Sequence, residues 1–323
     1  GYDIDAACAH AFEWNNRAKF LTKDVAEVTQ EEIAAWYSKG SYRLLAGCAP
    51  CQPFSTYNQG RDTTSDRKWP LLYQFARLIQ ELQPEFVTME NVPDVTKHDV
   101  YGDFEANLIK LGYHVWAGTV ACMEYGLPQQ RRRHVLLASK LAPIKLISPT
   151  HSGTPVTVAD AIAHLPPISA GGADPKDPLH KSQGLTAINL KRIRLSTQGG
   201  SWRDWPEDLR AACHNKPSGR TYPSVYGRMK WSSPAPTMTT LCYGFGNGRF
   251  GHPEQDRAIS LREAAILQSF PEDYQFTPAG RPADFRSVGR MIGNAVPVRL
   301  GEIIGLSLQQ HLQSLHADEQ QAG

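Results

Sequence analysis

No run of apolar residues in this 323-residue chain approaches the roughly 20 needed to cross a bilayer. Cysteine is scarce. The six residues, at positions 8, 48, 51, 122, 213 and 242, lack the dense paired spacing of a secreted disulfide framework, so a reducing cytoplasm is the expected setting. No second Cys-x-x-Cys and no spaced pair of histidines accompanies Cys48-Ala49-Pro50-Cys51, which leaves a structural zinc without a ligand set. Internal repeats and low-complexity tracts are also missing. What remains, at 41% hydrophobic and 20% charged residues, is the composition of an ordinary globular protein long enough for one large domain or two modest ones.

The net charge of +2 conceals an asymmetry. Residues 181–250 hold eleven Lys or Arg against three Asp or Glu, and the rest of the chain is acidic by six. Trp202, Trp205, Tyr222, Tyr226 and Trp231 lie in or beside this basic stretch, a mixture that suits a polyanion as well as it suits a solvated loop surface. Upstream, apolar runs alternate with helical spacing. Arg43-Leu44-Leu45-Ala46-Gly47 reads as a buried strand, Leu71–Leu82 as a helix and Phe86–Met89 as the next strand, ending at Glu90. Tyr113–Ala121 and His134–Ala138 extend the series, which predicts a parallel α/β sheet over residues 1 to about 145. The middle piece is rich in loops, a helix returns at Ser260–Leu267, and Val296–Leu312 reads as a closing helix.

Three short motifs carry chemistry. Pro50-Cys51-Gln52 puts a thiol on a proline-stiffened turn just past a strand, in a loop that continues into Arg61, Arg67 and Lys68; cations favour the thiolate. Glu90-Asn91-Val92 ends an apolar strand with a carboxyl group able to move a proton. Gln129-Gln130-Arg131-Arg132-Arg133 enters a strand, so Arg131 and Arg133 share a face and Arg132 points away. Singly, each has a plainer reading: an inert buried cysteine, a structural carboxylate, a solvated basic edge.

Together, and with Gly293-Asn294-Ala295-Val296-Pro297, these motifs resemble the DNA (cytosine-5) methyltransferases in order and approximate spacing, from residue 1 to about 312. The resemblance implies a Rossmann-like, S-adenosylmethionine-dependent α/β sheet with a smaller, loop-rich target-recognition domain. It divides the chain into a catalytic and cofactor-binding part at 1–150, target recognition at 151–258, and a C-terminal segment, 259–323, that returns to the catalytic domain. Carried over, Cys51 attacks C6 of cytosine, Glu90 engages N3 and the exocyclic amine, and Arg133 contacts O2. Gln52, Ser55 and Arg131 support the loop and the DNA backbone, and Thr237 lies near the target phosphate.

For the cofactor, the resemblance assigns Asp3 to the ribose hydroxyls and Ile4 to the adenine face. It places Asp24 at the adenine amine, with Val25, Pro50, Leu71, Asn294 and Val296 as further contacts. The family's Phe-x-Gly-x-Gly loop is absent from the sequence, and an N-terminally truncated chain is the expected reason. Double-stranded DNA is the expected partner, the chain a monomer without membrane attachment, in a bacterial or phage setting that could include a cognate restriction endonuclease. Three rival readings stay open: a tRNA cytosine-5 methyltransferase, whose Cys-Phe-Thr signature is missing here; a non-catalytic DNA-binding chain; and a Cys48–Cys51 oxidoreductase.

Overall fold

The computed structural model describes residues 1–48, 69–216, 219 and 223–322. Pro50, Cys51, Gln52, Ser55, Arg61, Arg67, Lys68 and Tyr222 lie outside them. The strands are β1 (Tyr2–Asp3), β2 (Leu21–Thr22), β3 (Leu44–Gly47), β4 (Phe86–Asn91), β5 (His114–Ala121) and β6 (Arg132–Ser139). The helices are α1 (Ala9–Asn16), α2 (Gln30–Ala34), α3 (Trp69–Leu82), α4 (Asp99–Lys110), α5 (Val158–Ile162), α6 (Ala187–Leu195), α7 (Leu261–Leu267), α8 (Phe285–Asn294) and α9 (Val298–Ala322).

One sheet runs β3-β4-β6-β5, and a separate parallel pair joins β1 to β2. β4 is buried along its whole length because both faces are covered. Val87 and Met89 pack with Leu72, Phe75 and Ile79 of α3 and Phe104 and Leu108 of α4. Phe86 packs on the other side with Leu300, Ile303 and Leu308 of α9. The β1–β2 pair is tied to α3 by Arg77, whose Nη2 donates to the carbonyls of Val25 and Val28 at 3.3 and 2.9 Å. A small apolar cluster of Val28, Ile33, Leu78 and Leu82 fills the space beneath.

The structure corrects the expected all-parallel sheet. β3 and β4 are parallel, but β6 runs antiparallel to both β4 and β5. The link between β5 and β6 is residues 122–131, containing only a 3-10 turn at Cys122–Tyr125, which is too short for the helical crossover that parallel strands need. Residues 285–317 give another correction: an 18-residue window there averages a hydropathy of 1.2, enough by length and composition to cross a membrane. That stretch is broken between α8 and α9 at residues 295–297; Val288, Ile292, Leu300, Ile303 and Leu308 pack into the protein on the two sides of the break, while Leu306 is exposed.

Residues 151–260 carry few regular elements. α7 and α8 share a core with α5 and with Met229, Met238, Tyr243 and Phe250, while α9 touches that core at Val298 and packs on the sheet through Leu300, Ile303 and Leu308. Trp202 and Trp205 build a second small core with Ile193 and Phe245. A buried polar network fixes this lobe. Arg257 and Glu263, at 0% and 1% side-chain exposure, meet in a two-pronged ion pair with both contacts at 2.7 Å. Glu263 also caps α7 by accepting from the Ser260 N–H, and Ser260 caps it reciprocally.

His252 lies against this pair, with Nε2 at 3.6 Å from Glu263 Oε1. Its Nδ1 accepts from the Glu254 and Gln255 N–H groups at 3.1 and 2.9 Å, which requires the neutral ring. Burial pushes its pKa down from 6.5 to about 4, with Arg257, Arg228 and His180 adding to the shift and Glu263 opposing it. Burial works to raise the Glu263 carboxyl, but the Arg257 hydrogen bonds and charge outweigh it and the net shift is down. For both groups the unfolded chain takes up protons first as pH falls, so their stabilisation is present at neutral pH and is lost on acidification. Urea denaturation should show stability declining as pH falls from about 6.5 towards 4, by up to about 1.4 kcal/mol per pH unit for each proton involved. His252→Asn, which keeps an acceptor near the Nδ1 position, should flatten the upper part of that decline.

Candidate active site

Three strands bring the candidate groups together. In β4, Glu90 sits opposite Val135 of β6, and Arg133 is two residues along β6, so both side chains project from one sheet face as diagonal neighbours. Arg133 Nε lies 2.7 Å from Glu90 Oε1, with side-chain exposures of 12% and 10%. The approach is an ion pair without hydrogen-bond alignment, and Oε1 has no aligned donor among the described residues. On the other side, Gly47 of β3 pairs with Met89, which sets Cys48 beside Glu90. Cys48 Sγ is 3.1 Å from Glu90 Oε2. Glycine is needed at position 47 because a Cβ there would come within 2.5 Å of the Phe75 ring.

Glu90 is thus the fifth residue of a six-residue strand rather than the residue just beyond its end. It opens, with Cys48, Ala46 and Thr88, onto a trough of about 310 Å³ closed by Val296, Gly301, Ile304 and Gly305. Arg132 points to solvent, whereas Arg131 is 3% exposed. Its guanidinium donates to the carbonyls of Met238, Gly293 and Ala295 at 3.1, 3.4 and 3.5 Å, so it binds the protein's own backbone where the resemblance placed DNA backbone.

Sequence reasoning gave no role to Gln129, which is fully buried. Gln129 Nε2 donates to Leu267 O and Gln268 Oε1, its Oε1 accepts from the Met238 N–H, and its backbone bridges to Ala235. Thr237, in the same seam, donates to Gln130 O at 3.2 Å. The sequence carried no signal for this, because Gln129 stands beside Gln130 and three arginines and reads there as one more exposed polar residue.

Among the other cysteines, burial pushes the thiols of Cys8 and Cys122 up to about 11 and that of Cys242 up to about 12. None of these three carries a useful thiolate fraction at neutral pH.

The sequence profile of the C-5 cytosine-specific DNA methylases matches residues 1–310. The chain belongs to that family. The methylase is 50% identical over 320 residues to the Type II methylase M.HgiDII of Herpetosiphon aurantiacus, covering 98% of this chain and 90% of the relative. It is 33% identical to the Type II methyltransferase M1.BsuMI of Bacillus subtilis, over 94% of this chain and 72% of that one. Among solved structures, its fold is like that of a prophage-encoded E. coli protein described as a DNA modification methyltransferase, with a TM-score of 0.68 at 22% identity over 97% of this chain and 92% of the other. It is also like Spodoptera frugiperda DNMT2, at 0.62 and 15% over 95% and 89%. The methylase therefore has the Rossmann-like fold and is an S-adenosylmethionine-dependent cytosine-5 enzyme.

The β1–β2 pair offers a surface whose chemistry suits such a cofactor. β1 and β2 are parallel with Asp3 opposite Thr22, so Asp3 and Asp24 leave the pair at the same edge. Both are exposed, each using one oxygen locally: Asp3 accepts from the Asp5 N–H and Asp24 from the Ala26 N–H. Ile4, 73% exposed, stands beside them, and a large apolar side chain next to open carboxylates fits an adenine ring and ribose diol. Val25 and Leu71 are half-buried, Asn294 is exposed, and Val296 reaches the trough next to Glu90.

Arg131→Met would remove the guanidinium donor from the Met238 and Gly293 carbonyls, while Ala295 O would keep Gln268 Nε2. We expect it to lower stability by about 1–3 kcal/mol in urea titrations, against less than about 0.5 kcal/mol for the exposed Arg132→Met.

Proposed function

We propose that this methylase modifies cytosine within a specific duplex DNA sequence, on a base rotated out of the helix, through a transient bond between Cys51 Sγ and C6. The observation that supports this reading is Glu90 held between Arg133 and Cys48, with Oε1 free of an aligned donor among the described residues. An N–H on the Watson–Crick edge of a flipped cytosine is a fitting donor for that oxygen, and Arg133 beside it suits the pyrimidine O2. Asp3, Ile4, Asp24, Val25, Leu71, Asn294 and Val296, with Pro50, are the residues we assign to S-adenosylmethionine, which when bound supplies an electrophilic methyl group.

The chain's own task is to make C5 nucleophilic. Cys51 thiolate adds to C6, and the displaced C5=C6 electron pair becomes available at C5 while Glu90 hydrogen-bonds N3 and carries its proton. After C5 has been alkylated, its proton goes to a base, the C5–H pair restores the double bond, and the Sγ–C6 pair returns to sulfur. Gln52 and Ser55 are assigned to the loop that carries Cys51, and Thr237 to the target phosphate.

Residues 151–258 are the proposed recognition unit, the flanking parts being 1–150 and 259–323. Its cationic surface is narrower than the sequence count: Lys191, Arg194, Arg203, Lys216 and Lys230 are exposed, but Arg228 is buried and Arg192 stacks over Trp205 and Tyr226. Trp202 and Trp205 are core residues and leave base contacts to other side chains. The Type II methylase relatives support action on DNA; a bacterial cytoplasm, a monomeric state and a restriction endonuclease of the same specificity belong to the same proposal.

Duplex DNA carrying 5-fluorocytosine at the target tests the scheme, because fluorine at C5 blocks the final elimination. Wild-type chain with S-adenosylmethionine should form a denaturation-resistant adduct, and Cys51→Ala should form none. Glu90→Gln should reduce kcat by about 10²–10⁴-fold. Full turnover by Cys51→Ser would overturn the covalent route.

A further inference from the structure

Cys48 touches the carboxyl group on which the proposed chemistry depends, and nothing in the covalent scheme gives it work. It follows β3 directly, and the parallel pairing of Gly47 with Met89 sets Cys48 alongside Glu90. Alternation along the strand puts Leu44, Ala46 and Cys48 on the trough face, where Thr88 and Glu90 also open. A thiol has one proton to donate. Among the described residues, Glu90 offers it two acceptors: Oε2 at 3.1 Å and the backbone carbonyl at 3.7 Å. The carboxylate is nearer and bears the charge, so it is the preferred acceptor.

We propose that Cys48 is a positioning residue for Glu90, its thiol holding Oε2 while Arg133 holds Oε1 from the opposite strand. A glutamate side chain at a strand end has three rotatable bonds, and one ion pair leaves the carboxylate plane free to turn about the Arg133 contact. A second donor, from a different strand, fixes that plane. Oε1 is then presented to a base edge in one orientation, and the hydrogen bond need not be bought with reorganisation during the reaction. The role rests on the reading of Glu90 as the group that meets cytosine N3, and it is separate from any redox pairing of Cys48 with Cys51.

Two measurements test it. In steady-state methylation, Cys48→Ala should lower kcat about tenfold, the size of one hydrogen bond to a charged acceptor, with KM for DNA within about twofold. Cys48→Ser, which keeps a donor on a shorter bond, should recover most of the loss. A fall in melting temperature or a rise in KM shared by both variants, with kcat unchanged, would mean a packing role and overturn the proposal.

The second readout does not need turnover. The S–H stretch of Cys48, isolated in the infrared difference between wild type and Cys48→Ala, should lie at lower frequency than a free thiol and move up in Glu90→Gln. A band that ignores Glu90→Gln overturns the proposal whatever the activity. Failure of the functional reading would show differently, as a wild-type chain that forms no 5-fluorocytosine adduct while its S–H band still responds to Glu90.

Discussion

The pairing of β4 with β3 on one side and β6 on the other is the constraint from which the site follows. β4 is buried on both faces, so its position is set by the apolar contacts of Val87 and Met89 with α3 and α4 and of Phe86 with α9. A slip of one residue would turn these side chains to the wrong faces, which makes the register hard to alter. Given that register, Glu90 meets Cys48 from the parallel strand and Arg133 from the antiparallel one on its own face, with the apolar Val135 directly opposite it. The charge centre of the site is therefore a consequence of core packing some distance beneath it.

The second lobe is organised by polar groups to a degree its loop-rich sequence conceals. Arg257, Glu263 and His252 are withdrawn from solvent, and Arg228 donates to the carbonyls of Ile193, Ser196, His252 and Gln255. A region with few strands and helices has few backbone partners for its own carbonyls, so buried guanidinium groups take that place. The same necessity explains Arg131 and Gln129 at the seam, where carbonyls from the end of α8 and from residues near Met238 converge. Cations in this lobe thus serve two ends, and a count of them overstates the charge that faces outward.

The elements that carry Glu90 were legible in the sequence. The strand at 44–47, the helix ending at Leu82 and the strand beginning at Phe86 follow from apolar runs bounded by Gly47 and Pro84, and they place Glu90 at a strand end within one residue. The antiparallel β6 was not legible from periodicity, because alternation of side chains is the same whichever way a strand runs; the short link at 122–131 was the clue. The burial of Trp202 and Trp205 was equally hidden. An aromatic residue among arginines reads alike as a stacking platform and as the core of a small lobe, and only the packing of Ile193 and Phe245 against them decides.

The sequence by itself determined which chemical groups are present and in what order: a thiol after a proline, a carboxyl on an apolar strand, a row of guanidinium groups, and the family these imply. Those are properties of local residue identity, and no folding is needed to read them. Tertiary structure decided which of the arginines faces the carboxyl and which is absorbed into the protein, since Arg131 and Arg133 differ only in what packs beside them. It also decided that Cys48, unremarkable in sequence beyond its spacing to Cys51, lies against Glu90. Contact between residues 42 positions apart is set by strand register, and register is a property of the whole sheet.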